Sequence, residues 1–372
     1  MIVPVQSLEQ VREAIQASRW AEAISNVRLI SDARLRQFTS EQIQELARLL
    51  KVAVAGLESP HAQLWVYAFF EKLGDLLAQT GASLPDVNLE IAKAIFNKAD
   101  LLEQLGRPLE AVSTYSRLID LHCQSKDLEL TRLAASALLS KGRSLASVNL
   151  DRDAIEAYEQ VDALFSDSED PVIQDRVASA FNLTGVLLNK MDRIDEAIER
   201  YDEVQRRFSH ATDIALRERV GISMTNKAIA LFRQDRDGEA IDICETVLRL
   251  YGDEPRLWKP SSIALNEIGY MALCEAKQLS AAGDAQRADE RLRYAAELLK
   301  DAVNRSSHKP DPIILGNLGY AWFLQGHREA ARRTLAQAIE LGGEELRETE
   351  LRDSKISPLP EDIEFRELII SL

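Results

Sequence analysis

One phrase recurs along this chain at a fixed interval, and that interval constrains the fold more than any other property. "VNLDRDAIEAYEQV" (148–161), "NKMDRIDEAIERYDEV" (189–204) and "FRQDRDGEAIDICETV" (232–247) share an alanine, a bulkier residue four later and a small aliphatic three after that. The sets are Ala111/Tyr115/Leu118, Ala154/Tyr158/Val161, Ala197/Tyr201/Val204 and Ala240/Cys244/Val247, with successive alanines 43 residues apart. Twelve residues before each alanine stands another small residue: Ala99, Gly142, Gly185 and Ala228. Offsets of four and three lie on one helix face, so each set marks a packing stripe. The small residues let a second helix approach closely, and the tyrosine fills the space beside them. Short polar turns such as "QLGRP" (104–108) reverse the chain between the two helices. A single helix pair cannot bury its apolar face alone, whereas stacked pairs can.

Composition agrees. The chain has 372 residues, beyond the usual size of one core, and is 46% hydrophobic, with helix formers abundant and β-branched alternation almost absent. The expectation is an all-α solenoid.

The pattern resembles the tetratricopeptide repeat family. "ILGNLGYAWFLQGHREAARRTLAQAIEL" (314–341) matches best, with the Leu318-Gly319 pair, the turn glycine Gly326, and Ala331, Leu335 and Ala338 on its second helix. "SRWAEAISNVRLI" reads as a degenerate copy, with Ala23, Val27 and Ile30 at the repeat offsets. The family repeat spans 34 residues, so a 43-residue period implies longer helices or a longer loop, for instance at "FSDSEDPVIQDR" (165–176), where Asp170-Pro171 suits a helix cap and start. Lys98, Lys141 and Lys227 replace the usual leucine. One unit is stretched, with 26 residues between Gly269 and Ala295, so its helices should overhang the others and turn near 281–290. The expected organisation is a helical region over 1–85, a repeat array over 86–342 and an extension over 343–372. The tail from Pro358 reads as a break and then an amphipathic helix, whose Ile363, Phe365, Leu368, Ile369 and Leu372 either seal the last repeat or dock a partner, with sealing favoured. "LWVYAFF" (64–70) cannot face one side of a helix; it reads as buried on more than one face, the alternative being a docking patch for a partner or a second copy.

The formal net charge is −15, and an acidic surface repels phosphate backbones, so nucleic acid is not an expected partner. The basic stretch "HREAARR" (327–333) reads as a solvated helix face. Cys123, Cys244 and Cys274 lie far apart and read as packing residues of a reducing compartment. The N-terminal stretch has no signal-peptide pattern and no apolar run reaches membrane length, so the expected setting is cytoplasmic, without a membrane partner.

No phosphate-binding, dinucleotide-binding, nucleophile-elbow, zinc-protease or EF-hand motif occurs, and the five histidines are isolated. "SSHK" (306–309) lacks the companion motifs of its enzyme class. The expectation is therefore a chain without catalysis, cofactor or metal.

The resemblance implies a right-handed superhelix whose first helices line a concave groove that binds another protein or a peptide. Carried onto this sequence, the groove positions include Asn97, Asp100, Gln104 and Arg143, followed by Asn182, Asn189, Thr225, Asn226 and Arg233. Phe96, Ile229, Phe232, Asn266, Glu267 and Asn317 occupy the same positions. An asparagine amide donates and accepts at once, which suits a peptide backbone, although it suits a neighbouring helix equally. The family's carboxylate clamp is disfavoured, since its positions carry Phe96, Asp100, Ser136 and Ser140. Two readings follow: a non-catalytic scaffold, or a peptide-gated regulator similar to bacterial pheromone receptors, with an effector near residues 1–85. A homodimer stays open.

Overall fold

The computed structural model describes residues 4–81, 84–306, 308–355 and 359–372. Among the described residues the chain is an all-α solenoid of eighteen α-helices and no strand. It divides into two compact units, Met1–Ala180 and Phe181–Leu372.

The first unit opens with α1 (Pro4–Gln16), α2 (Trp20–Arg28), α3 (Asp32–Leu35), α4 (Ser40–Ala55) and α5 (Pro60–Thr80). The degenerate copy falls on α2, where Ala23 and Val27 are buried; the helix stops at Arg28, and Ile30 is buried just beyond it. Thr39 starts α4 with a reciprocal cap, its hydroxyl accepting from the Gln42 amide at 3.3 Å while the Gln42 side chain accepts from the Thr39 amide at 2.9 Å. On α5, Val66, Phe69 and Phe70 are buried, Leu64, Trp65 and Tyr67 half-buried and Ala68 exposed, so "LWVYAFF" is covered on more than one face.

The regular repeats follow as α6 (Pro85–Gln104), α7 (Pro108–His122), α8 (Leu128–Ser147) and α9 (Asp151–Phe165). Their first helices have 20 residues and their second 15, so helix alone exceeds a 34-residue repeat and the added length lies in the helices. The loop after α9 is only 166–170, and the Asp170 carboxylate caps α10 (Pro171–Lys190), accepting from the Ile173 amide at 3.1 Å. The small residues do what their spacing requires. A Cβ on Gly142 would stand 2.3 Å from the Tyr158 ring, and Tyr115 and Tyr158 are almost wholly buried.

The second unit contains α11 (Ile194–Phe208), α12 (Ile214–Phe232), α13 (Asp237–Tyr251), α14 (Trp258–Ala281), α15 (Ala285–Arg305), α16 (Pro312–Leu324), α17 (Arg328–Asp353) and α18 (Asp362–Ser371). The glycine contact recurs: a Cβ would meet Tyr201 at 2.4 Å from Gly185, Leu299 at 2.8 Å from Gly269, and Leu335 at 2.6 Å from Gly319. The stretched unit keeps this contact while lengthening both helices equally. Gly269 stands twelve residues before the end of α14, where Gly142 stands five before the end of α8; Ala295 is ten residues into α15, where Ala154 is three into α9. Each helix thus gains two turns, about 10 Å at 1.5 Å per residue.

At the end of the chain, α17 breaks its helical path at Gly343 (φ 65°, ψ −156°), a conformation that glycine adopts without a Cβ clash. Beyond the break, α18 caps the last repeat. Phe365 and Ile369 are buried against it, with the Phe365 ring 4.5 Å from Tyr320 and 5.2 Å from Phe323, while Leu368 and Leu372 are partly covered and Ile363 is exposed. Pro358, the expected start of the break, lies outside the described residues.

Candidate binding cavity

In the first unit, the expected groove residues divide between internal work and exposure. The Tyr115 hydroxyl donates to Asp100, and burial raises the Asp100 carboxyl above its ordinary pKa while that bond opposes the shift. Asn97 is exposed and hydrogen-bonded to Tyr67. Gln104 and Arg143 are exposed. Lys98 bridges to Glu71 at 2.7 Å, so this lysine ties α6 to α5.

In the second unit, Asn182 is buried and its amide donates to the Arg219 carbonyl at 3.1 Å. Thr225 is fully buried and donates to the Ile222 carbonyl of its own helix at 2.9 Å. Both side chains therefore hold helices. Asn226 is half-buried. Arg233 is exposed, donates to the Asn189 side chain at 2.6 Å and pairs with Asp192 at 3.0 Å.

Arg233 also stands at the edge of a cavity of about 790 Å³. The first helices of three successive hairpins, α12, α14 and α16, contribute Phe232, Glu267, Tyr270 and Asn317 to its wall, and α17 and α18 contribute Glu350 and Phe365. The added turns of α14 supply Glu275, Lys277 and Gln278, and those of α15 supply Arg291. Asn317 donates to the Asn266 side chain at 3.0 Å, and Asn266 donates to Glu267 at 3.0 Å, so an amide chain orients that carboxyl.

Under the wall lies a buried ion pair. Lys277 is 4% exposed and Asp362 is 0%, with 3.3 Å between ammonium and carboxylate. Asp362 also accepts from the Tyr320 hydroxyl and from the Leu359 amide, the latter at 2.7 Å. These donors compensate for the desolvation of the two charges. The pair fastens α18 to α14. Elsewhere the wall is unusual in protonation. Burial raises Glu267 to about 7 and Glu350 to about 8 against an ordinary value of 4.5, with Asp353 adding to the effect at Glu350.

Sequence reasoning placed Ile229, Phe232, Arg233, Glu267 and Asn317 on the groove side, and the structure gathers them around this cavity. It missed Tyr270, Cys274, Lys277 and Glu350. The available signal was the 26-residue spacing from Gly269 to Ala295, since extra turns on a groove helix must present extra residues.

Residues 96–169 match the tetratricopeptide repeat family. No curated protein matches the chain. Among solved structures, the apo form of RapI is similar over 99% of this chain and 96% of its own, with 10% identity and a TM-score of 0.57. A tetratricopeptide repeat protein from Parabacteroides merdae shares 11% identity over 98% of this chain and 99% of its own, with a TM-score of 0.48. A signal transduction ATPase from Pyrococcus horikoshii, which has a tetratricopeptide repeat sensor, shares 14% identity over 95% of this chain and 52% of its own, with a TM-score of 0.47.

Proposed function

We propose that this chain, a tetratricopeptide-repeat protein, is a non-catalytic scaffold that binds a peptide or a segment of another protein, and that the cavity of its second unit receives that segment. The observation behind this reading is the make-up of the wall. A volume of about 790 Å³ is typical of ligand sites, and the wall combines aromatic rings with a few oriented amides and charges. A wall preformed on helices orders little on binding, so little entropy opposes it. Of the expected groove residues, Arg233 lies at this site, with Asn189 held beside it; Asn226 is a further candidate on α12, the helix that Arg233 caps. Gln104 and Arg143 remain candidates on the first unit.

A second reading, a regulator whose shape responds to its peptide, is favoured by one feature. Phe365 belongs both to the cavity wall and to the helix that caps the chain, so an occupant would press on the cap directly.

The test is selection of a displayed random-peptide library on the full chain, followed by fluorescence anisotropy of the winners on two variants of matched melting temperature. Binding lost in Phe232→Ala/Arg233→Ala and kept in Gln104→Ala/Arg143→Ala supports the cavity. The reverse pattern moves the site to the first unit. If no peptide is enriched above a bare support, the peptide-scaffold reading falls.

A further inference from the structure

The charges around the cavity do not balance locally, and the imbalance has a direction. Every basic residue of its lining is already engaged: Arg233 with Asp192 at 3.0 Å, Lys277 with Asp362 at 3.3 Å, Arg291 with Glu275 at 2.5 Å and Arg352 with Asp353 at 3.3 Å. Glu267 and Glu350 have no basic partner among the described residues. Glu267 receives only the Asn266 amide. Glu350 is 8% exposed, and its carboxyl makes no hydrogen bond or ion pair among the described residues. A nearly enclosed carboxyl that opens onto the cavity without a donor keeps its lone pairs for whatever enters.

The fold makes room for it. Glu350 lies against bare backbone of α16, where a Cβ on Gly316 would stand 2.1 Å from its Oε1. The break at Gly343 turns the last part of α17, which bears Glu350, onto that backbone. Around the two carboxyls stand rings: Phe232 and Tyr270, with centroids 6.1 Å apart, and Tyr320, over which the Lys277 ammonium already sits at 5.1 Å. Aromatic faces beside unpaired carboxyls form the chemistry that receives an organic cation.

We propose that this cavity binds an organic ammonium or guanidinium group, with Glu350 and Glu267 as its carboxylate partners and the rings of Phe232 and Tyr270 flanking its alkyl stem. Two sources share this chemistry, the lysine or arginine side chain of a bound peptide and a free polyamine. The first source rests on the function proposed above, and the second does not.

The titration of the wall gives the site a signature. With burial holding Glu350 and Glu267 at about 8 and about 7, an entering cation displaces protons from them. Affinity therefore rises between pH 6 and 8 and levels off above. Three groups facing Glu350 titrate above that window. Tyr270 and Cys274 on α14 and Tyr320 on α16 are shifted upward by burial. Lys277 pairs with Asp362 at 3.3 Å, and Arg352 with Asp353 on α17 at 3.3 Å.

Two pools of N-acetylated, C-amidated pentapeptides, one with a central lysine and one with norleucine, would be passed over the immobilised full chain at pH 6 and pH 8. Spermidine would be tested by its effect on the melting temperature, and Glu350→Gln, which mimics the protonated acid without changing its shape, would be run in parallel. The expected result is retention of the lysine pool roughly tenfold or more above the norleucine pool, stronger at pH 8, and lost in Glu350→Gln. If spermidine stabilises only the wild type while neither pool is retained, the cation site stands and the peptide function falls. Equal retention of both pools, or equal binding by wild type and Glu350→Gln, overturns the cation site while leaving a peptide scaffold. No retention together with no spermidine shift overturns it as well.

Discussion

Glu350 shows how a single side chain couples fold and solution conditions. Its ordinary pKa of 4.5 applies to the unfolded chain, whereas burial keeps the folded carboxyl protonated to about 8. Between these values the unfolded state binds fewer protons than the native one. Stability contributed by this group is thus complete below pH 4.5, falls as pH rises toward 8 and is flat above. Glu350→Gln should melt with wild type near pH 5 and be more stable by a few kcal/mol at pH 9, as measured by urea denaturation at both pH values. Other single residues were readable in advance. The 43-residue spacing of Ala111, Ala154, Ala197 and Ala240 announced their burial, and all four are fully buried. The same interval also separates four turn residues in the left-handed region, Gly106, Asn149, Asp192 and Asp235. That series was hidden because Asn and Asp are common on any polar surface, and only their positive φ reveals why they stand there. Glu350 was not legible for a related reason, since its burial depends on Gly316 across the chain and on the bend at Gly343.

Among elements, α18 is held by both apolar and ionic contacts, and these fail differently. The Phe365 and Ile369 contacts keep it on the last hairpin, with Arg347 donating to the Ile369 carbonyl at 3.0 Å, while Lys277 and Asp362 fasten its first turn. Lys277→Ala leaves the Asp362 carboxylate buried without its counter-charge, at a cost of about 3–5 kcal/mol. That loss is expected to fall on the docking of α18 rather than on the whole chain, so hydrogen exchange should accelerate in 362–371 while amides of α6–α9 keep their protection. Lys277→Met with Asp362→Asn should recover much of the protection, because both charges are removed together. The amphipathic pattern of the tail made its sealing role readable. Its ionic fastening was not, because nothing in the sequence links position 277 to position 362.

For the whole molecule, regularity of the repeat makes its own prediction. The first helices of four hairpins start at Pro85, Leu128, Pro171 and Ile214, each 43 residues from the last. In a linear array each hairpin contacts only its neighbours, so removing one full period joins surfaces of the same kind. Deleting residues 128–170 should give a chain that folds with unchanged helicity per residue by circular dichroism. Deleting 128–161, a 34-residue family period, brings mismatched faces together and should give a broad melt or an insoluble product.

The equal lengthening of α14 and α15 separates two properties that most binding sites confound. Seven residues are close to two full turns, so the hairpin tip rises while the phase of both helices at Gly269 and Leu299 is kept. The height of the cavity wall is in effect an adjustable quantity, changed in paired seven-residue steps at the tip, while the floor and the stacking beneath it stay fixed. A lineage that lengthened or trimmed this one hairpin could retune which segment fits without re-solving the fold.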